Sequence, residues 1–317
     1  MGGELGSLVA SILETDDTIS ELIGVDVDPP RRRLRRARFH RVAPTDRNQL
    51  VELITRLDPH VVLHLGVYEP DARATEREAA RWTPAAALGV LGAAAECPSL
   101  EAIVVRSGTE VYGRRRGAVT RPDEDAPIAP TSPFGTQLAA VEQTALAAGR
   151  AAGVPTTLVR FAPVMGGHVP SPLGRLLRLP VVPFSLLADP AFDVVDGHDA
   201  AAALVAAASS RYDGAVNVAA SGSITIRQAL RSGSRRTIPF FGPEWSIARP
   251  ILAMHGAPIP LHVMELVHRG RLADGSRARE ILGVSPLLRT SEVIDRVFQW
   301  ESVVHIRPIK PPQRMAS

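Results

Sequence analysis

Lysine is all but missing from this chain. Lys310, in the C-terminal tail, is the only one, so the 36 basic residues are otherwise arginine. No side chain of the folded body can therefore act as a lysine amine. Cysteine is as scarce. Cys97 stands alone, which rules out an internal disulfide and agrees with a reducing compartment; its simplest role is a small apolar residue at a helix end. No apolar run reaches the roughly 18 residues that span a bilayer, the longest being Pro84 to Ala95. No charged-then-apolar leader precedes a small-residue cleavage site either, so the expected location is the cytoplasm.

What is present is enough for a large core. At 317 residues the chain can hold one large domain or one and a half. Its net charge is only +3. The basic segment "RRRLRRARFHR" (31 to 41) would suit a phosphate or nucleic-acid surface, but no aromatic platform accompanies it. It reads as a solvated helix and loop after a strand, and no nucleic-acid partner is expected.

Short β-branched or aliphatic runs alternate with Ala-rich amphipathic stretches, the pattern of a doubly wound parallel sheet. Strands are expected at 22–27, 61–66, 102–107, 156–161 and 215–219, and helices at 3–14, 47–57, 72–95, 134–152 and 198–209. Runs this apolar on both faces fit a sheet covered on both sides. After about residue 166 the texture turns proline-rich in "GGHVPSPLGRLLRLPVVPFSLLADP". The expected class is α/β, a Rossmann-like doubly wound parallel sheet with a smaller C-terminal substrate-side region. Residues 1–165 form the nucleotide-binding part, to which 190–220 returns; 166–189 and 221–305 form the substrate side, and 306–317 a basic tail.

Asp26 ends the strand "LIGVDV" about twenty residues after the first helix begins, where a carboxylate accepts hydrogen bonds from an adenosine ribose and repels a 2′-phosphate. NAD is thus favoured over NADP. A Gly-x-x-Gly-x-x-Gly turn should follow a first strand, yet the chain opens directly on "MGGELGSLVASIL". Gly2 is read as the last glycine of that turn, with the strand and two further glycines expected upstream of Met1. NAD binding would then be weakened or lost.

"VVLHLG" (61–66), "RSGTEVYG" (106–113), "SPFGTQLAAVE" (132–142), "VRFAPVMG" (159–166), "GAVNVAASGSITIRQAL" (214–230) and "LADGSRAREILGVSP" (272–286) follow one another in order. Together they resemble the extended short-chain dehydrogenase/reductase family, in particular its NAD-dependent nucleotide-sugar epimerases and dehydratases. The resemblance covers nearly the whole chain. It implies NAD, a nucleotide-sugar or other small-molecule ligand, and a homodimer.

In that family the catalytic helix carries Tyr-x-x-x-Lys, with Glu four residues on. Anchored on Glu142, those positions read Phe134 and Leu138. The family's Ser or Thr position reads Gly108. Phenylalanine keeps the ring and loses the hydroxyl that would exchange a proton, while leucine can neither lower a neighbour's pKa nor hold a nicotinamide ribose. The expected protein is therefore a pseudoenzyme, a binding protein of epimerase ancestry; the alternative is an active epimerase or oxidoreductase with replacement acids, for which Tyr68, Thr109 and Tyr112 are the candidates. Positions the resemblance assigns to the cofactor are Gly2, Asp26, Asp46, Leu65, Gly66, Thr83, Ser107 and Pro163. The family's Asn before the glycine of "VMG" reads Pro163, its helix-opening Asn reads Thr83 and its His before the next helix reads Asp196, while Asp199 stays in place. His64 reads as a core histidine. His255, His262 and His268 lack ligand spacing, so no metal is expected. Arg175 and Arg178 suit either a diphosphate or the wet face of a helix.

Overall fold

The structure, a computed structural model, describes residues 1–240, 245–254 and 256–299, without the side chains of 245–248. His255 and the tail with Lys310 lie outside the described residues.

The expected α/β architecture is present. The strands are β1 (Ile23–Asp26), β2 (Arg38–Arg41), β3 (Val61–His64), β4 (Ala102–Gly108), β5 (Thr156–Phe161), β6 (Val164–Met165), β7 (Val181–Ser185), β8 (Ala191–Phe192), β9 (Val195–Asp196), β10 (Gly214–Val218), β11 (Ile224–Thr225) and β12 (Arg236–Phe240). The helices are α1 (Glu4–Leu13), α2 (Arg47–Leu57), α3 (Glu76–Ala94), α4 (Pro133–Ala152), α5 (Pro172–Arg178), α6 (Gly197–Ser210), α7 (Ile226–Ser232), α8 (Trp245–Met254), α9 (Leu261–Arg269), α10 (Ser276–Leu282) and α11 (Thr290–Gln299). No helix among the described residues is long and apolar enough to cross a membrane.

A parallel sheet in the order β10-β5-β4-β3 forms the centre. Its register runs from Val61 opposite Ala102 and Ile103 opposite Thr156 to Val218 opposite Phe161. Successive residues of β4 face opposite layers, as the strand period requires. Val104 packs with α1 and α6 on one face, whereas Ile103 and Val105 pack with α3 and α4 on the other. β1 and β2 form a separate parallel pair, and neither bonds to β3. A third cluster joins α5, α7, α9 and α11 around Phe192 and Leu230 to make the C-terminal region.

The segment 31–41 departs from its expected form. Arg38–Arg41 is a strand, because β1 offers a parallel edge to it, and no helix forms there. Several of its arginines are already occupied. Arg32 pairs with Glu4 at 2.8 Å, Arg36 donates to the carbonyls of Glu14 and Asp16, and the Glu14 carboxylate accepts the amides of Arg35, Arg36 and Ala37. Cys97 is buried against the carbonyls of Ile54 and Ala93.

Candidate functional site

β4 ends at Gly108 and passes into a single 3₁₀ turn, Thr109–Tyr112. Opposite it, α4 starts on the Ser132 cap, whose Oγ accepts the Gly135 amide at 3.2 Å, with Pro133 in the first turn where its missing N–H costs nothing. Gly135 lets the helix approach closely: a Cβ there would stand 2.6 Å from the Glu110 carbonyl oxygen. Phe134 and Leu138, one turn apart, are therefore pressed against the 3₁₀ turn. They are 6 % and 1 % exposed and pack with Val67, Val111 and Tyr112. A Cβ on Gly108 would collide with the Glu110 carboxylate, so that space is filled as well.

The next turn of α4 carries Glu142, which is buried and fully engaged. It accepts the Ser107 hydroxyl at 2.6 Å and a two-pronged pair from Arg160 at 2.9 and 2.8 Å. Arg160 also donates to the Tyr112 oxygen at 2.9 Å, and the Tyr112 hydroxyl donates to Asn217 Oδ1 at 2.7 Å. Burial works against the Arg160 charge, but the Glu142 carboxylate more than compensates and holds the guanidinium above its ordinary value. Burial pushes the Tyr112 phenol up. This network ties β4, α4, β5 and β10 together, and it removes Tyr112 and Ser107 from the groups free to meet a ligand.

A cavity of about 30 Å³ lies beside Phe134 and Leu138, room for one or two waters. Its polar lining is Glu69, Arg106, Ser107, Glu110, His262 and Arg271. Arg271, buried to 2 % exposure, donates to Glu110 Oε1 at 2.7 Å and to Glu265 Oε2 at 2.9 Å, while its Nε has no partner. Glu265 also accepts the Thr131 hydroxyl. The His262 ring stacks on Phe134 with centroids 4.7 Å apart, and its Nε2 meets Glu69 Oε1 at 3.0 Å. Pro163 lines the same cavity.

Among the replacement acids, none lines this cavity. Thr109 is buried with its hydroxyl unpartnered. Tyr68 packs edge-on to Trp82 at 5.3 Å, and burial with the Asp26 charge pushes its phenol up to about 12. In both tyrosines burial disfavours the charged phenolate. Thr83 does not open a helix; it sits inside α3 and accepts the Tyr68 amide at 3.1 Å, because the capping box of Thr75 and Glu78 starts that helix earlier. His64, buried in β3 with Nε2 unpartnered, has its pKa lowered by burial to about 4.

On the cofactor side, Gly3 caps α1 without a side-chain bond and Gly6 lies in the first turn. Gly2 precedes the cap, so the glycine pair at the helix start is Gly3-x-x-Gly6, a spacing visible in the sequence itself. A Cβ on Gly6 would stand 2.9 Å from Met1 Cα. Asp26 faces this point: its Oδ2 accepts the Gly2 amide at 2.7 Å and the Met1 ammonium at 3.1 Å. Burial opposes ionisation of Asp26, but that ammonium and Arg73 hold the carboxyl below its ordinary range. Arg73 reaches over Gly3 to Asp28 at 2.6 Å. Asp46 caps α2 by accepting the Gln49 amide. Leu65 packs with the α1 and α6 layer, and Gly66 lies against the His64 ring. Asp196 caps α6, and Asp199 accepts the amides of Leu287 and Leu288.

A model of the NAD dependent epimerase/dehydratase family matches residues 2–219, more than half of the chain. The chain belongs to that family. An uncharacterized protein of Mycobacterium tuberculosis is 27 % identical to this epimerase/dehydratase-family chain over 323 residues, covering 99 % of this chain and 85 % of that protein. Among solved structures, MoeE5 in complex with UDP-glucuronic acid and NAD aligns with a TM-score of 0.73 at 21 % identity, over 94 % of this chain and 96 % of that one. The UDP-glucose 4-epimerase of Thermotoga maritima with UDP-glucose aligns at 0.71 and 19 %, over 94 % and 96 %. The dTDP-glucose 4,6-dehydratase of Bacillus anthracis in complex with NAD aligns at 0.69 and 14 %, over 94 % of each chain. At these identities the structural likeness establishes the fold.

Sequence reasoning missed Glu110, Arg271 and Glu69. Glu110 stands within "TEVYG", but the bond to Arg271 joins positions 161 residues apart, and no spacing rule links them.

Proposed function

We propose that this chain is a non-catalytic, nucleotide-binding member of its family, one that does not run tyrosine- and lysine-assisted hydride chemistry on a sugar nucleotide. The observation that carries the reading is the packing of Phe134 and Leu138 against Val67 and Val111, with the Glu110 carboxylate in the space a Gly108 side chain would need. A carbinol that gives up hydride must also lose its proton, and general acid–base help is typically worth about 10²–10⁴-fold in rate. No hydroxyl or ammonium stands at those positions to provide it.

Two of the neighbours above carry NAD, and the residues here fit one end of it. Asp26, Gly3 and Gly6 at the start of α1 would hold the adenosine diphosphate half, the helix start contributing its amides and dipole. The nicotinamide half finds Leu138 where a ribose would need a cation. NAD would supply a hydride acceptor when bound; Arg73 reaches over Gly3 beside Asp26 and crowds that side of the site, which supports weak binding.

Calorimetric titration with NAD and UDP, together with a coupled assay for NADH formation and UDP-glucose/UDP-galactose interconversion, tests the reading. Binding without turnover is expected. Turnover at roughly 1 s⁻¹ or more, an ordinary enzymatic rate, overturns it. One observation favours a second reading, an active enzyme whose acid/base is His262 oriented by Glu69; in that case His262→Gln abolishes a measurable turnover.

A further inference from the structure

β1 and β3 lie under the same helices, yet no ladder joins them. On one face, Leu22 at the start of β1 and Leu63 of β3 both pack into the cluster of α1. On the other, Val25 clusters with Leu50 and Leu53 of α2, and Val62 with Ile54 of α2 and Leu91 of α3. The two strands also run the same way, because their C-terminal ends come together. Arg73, in the segment between β3 and α3, reaches Asp26 at 3.7 Å, and the Asp26 charge acts on Tyr68 just past β3. Each strand nevertheless has a single partner, β2 for β1 and β4 for β3. Between them the sheet has a slot.

The register identifies the groups that face this slot. The carbonyls of Leu22 and Asp26 accept the amides of Arg38 and Val42 at 2.9 and 3.1 Å, and that of His60 accepts the Glu101 amide at 2.7 Å. Alternate residues of a parallel strand bond to the same neighbour. Ile23 and Val25 of β1, and Val61 and Leu63 of β3, therefore turn their amides and carbonyls to the other side. All of these are partly exposed, whereas β5 is buried throughout and β4 at every residue but Arg106. The Val25 carbonyl is met by the Met1 ammonium at 3.4 Å, and the Met1 side chain covers Gly24, so the slot is stoppered at the end where Asp26 lies. An unpaired strand edge is a template for another strand, and here two such edges border one gap. We propose that the slot is a strand-docking surface, and that its occupant is an extended polypeptide segment from outside residues 1–317, apolar on both faces, parallel to β1 and β3, with its C-terminal end against Met1. Side chains of such a strand alternate between the α1 wall and the α2 and α3 wall, and both walls are apolar. Valine and isoleucine therefore suit it along its whole length. The proposal stands on backbone pairing and is independent of the nucleotide-binding reading.

The test is amide exchange by mass spectrometry, with thermal unfolding, on the full chain and a capped synthetic peptide of about six valine and isoleucine residues. Lysines at its N-terminal end, which leaves the slot, keep it soluble. A control peptide of the same sequence is methylated on every second backbone amide, which removes its donors to one edge. The first peptide should slow exchange in 23–26 and 61–64 by at least about tenfold and raise the melting temperature; the methylated one should do neither. Val61→Pro removes an amide that faces the slot and no bond to β4, so it should weaken the peptide by at least about tenfold and leave the pairing with β4 intact. Equal protection by both peptides, no protection of 23–26 and 61–64 by either, or undiminished binding to Val61→Pro overturns the proposal. Protection of those strands that rises with protein concentration and needs no peptide also overturns it, and assigns the slot to a second copy. Titration with NAD and UDP reads the nucleotide site separately, so failure here leaves that reading standing.

Discussion

The Glu110 carboxylate stands in the space that a side chain on Gly108 would occupy. Arg271 holds that carboxylate by an ion pair at 2.7 Å, so the space beside Gly108 is occupied by a group that is itself tied down. Placing a side chain at Gly108 therefore means disturbing a salt bridge as well.

The variant Gly108→Ser, Phe134→Tyr, Leu138→Lys is accordingly expected to be unstable and inactive. A serine Cβ would stand 2.3 Å from Glu110 Oε2 and force that carboxylate to move. An ammonium in place of the 1 % exposed Leu138 side chain must give up water beside a carboxylate, Glu110, that Arg271 already holds, and that shared partner does not offset the desolvation. Urea unfolding measures the loss; a triple variant as stable as the native chain contradicts the packing described.

Arg271 bridges the buried Glu110 and the partly buried Glu265. Arg271→Met should destabilise by about 3–5 kcal/mol, since two carboxylates are left without their cation. Adding Glu110→Gln and Glu265→Gln should recover most of that loss. A double-mutant analysis of unfolding free energies in which the losses simply add shows that the three groups do not act as a unit.

Asp193 sets a pH dependence. It is fully buried, with one oxygen on the Ala273 amide at 3.1 Å and the other unpartnered, and burial pushes its pKa up to about 7. In the unfolded chain it ionises near 3.9. Between those values the folded state keeps a proton that the unfolded state releases, so the contribution is full below about pH 4 and is lost as pH rises through 7. Asp193→Asn should match the native chain near pH 4 and exceed it above about pH 7, by on the order of 4 kcal/mol. A pH-independent difference in chemical denaturation removes the assignment.

His64 acts in the opposite sense. Burial lowers its pKa to about 4, below the unfolded value of about 6.5, so its contribution is intact above 6.5 and falls away as the solution is acidified. His64→Leu should gain on the native chain progressively from about pH 6.5 to 4. Parallel unfolding curves at both ends of that range would exclude it.

Protection from amide exchange should follow the ladder. β4 and β5 are bonded on both edges, whereas β3, β1 and β2 are each bonded on one. Exchange by mass spectrometry should thus be slowest in 102–108 and 156–161 and clearly faster in 61–64 and 23–26. Equal protection in β3 and β4 would show a partner on the far edge of β3.

Much of this was legible in the sequence, for definite reasons. β4 and β5 are apolar on both faces, and α4 carries a Ser cap, an N-terminal proline and a terminal Gly153, so their limits were readable to within a residue or two. β2 was hidden because its four residues lie in a basic run and only pairing with β1 makes them a strand. The helix expected at 72–95 starts later, at Glu76, because the capping box of Thr75 and Glu78 fixes its first turn. At the site, Phe134, Leu138 and Gly108 were singled out from the sequence. The pairs beside them, Glu110 with Arg271 and Glu69 with His262, are drawn from distant segments that only the closed fold brings together.

Glu142 has a second life in this fold. Because it clamps Arg160 and Ser107, selection for a stable protein is enough to keep it, whatever the residues beside it do. A glutamate at this point of the helix is therefore a marker of folding competence, and a signature that counts it reports on the fold and not on the chemistry.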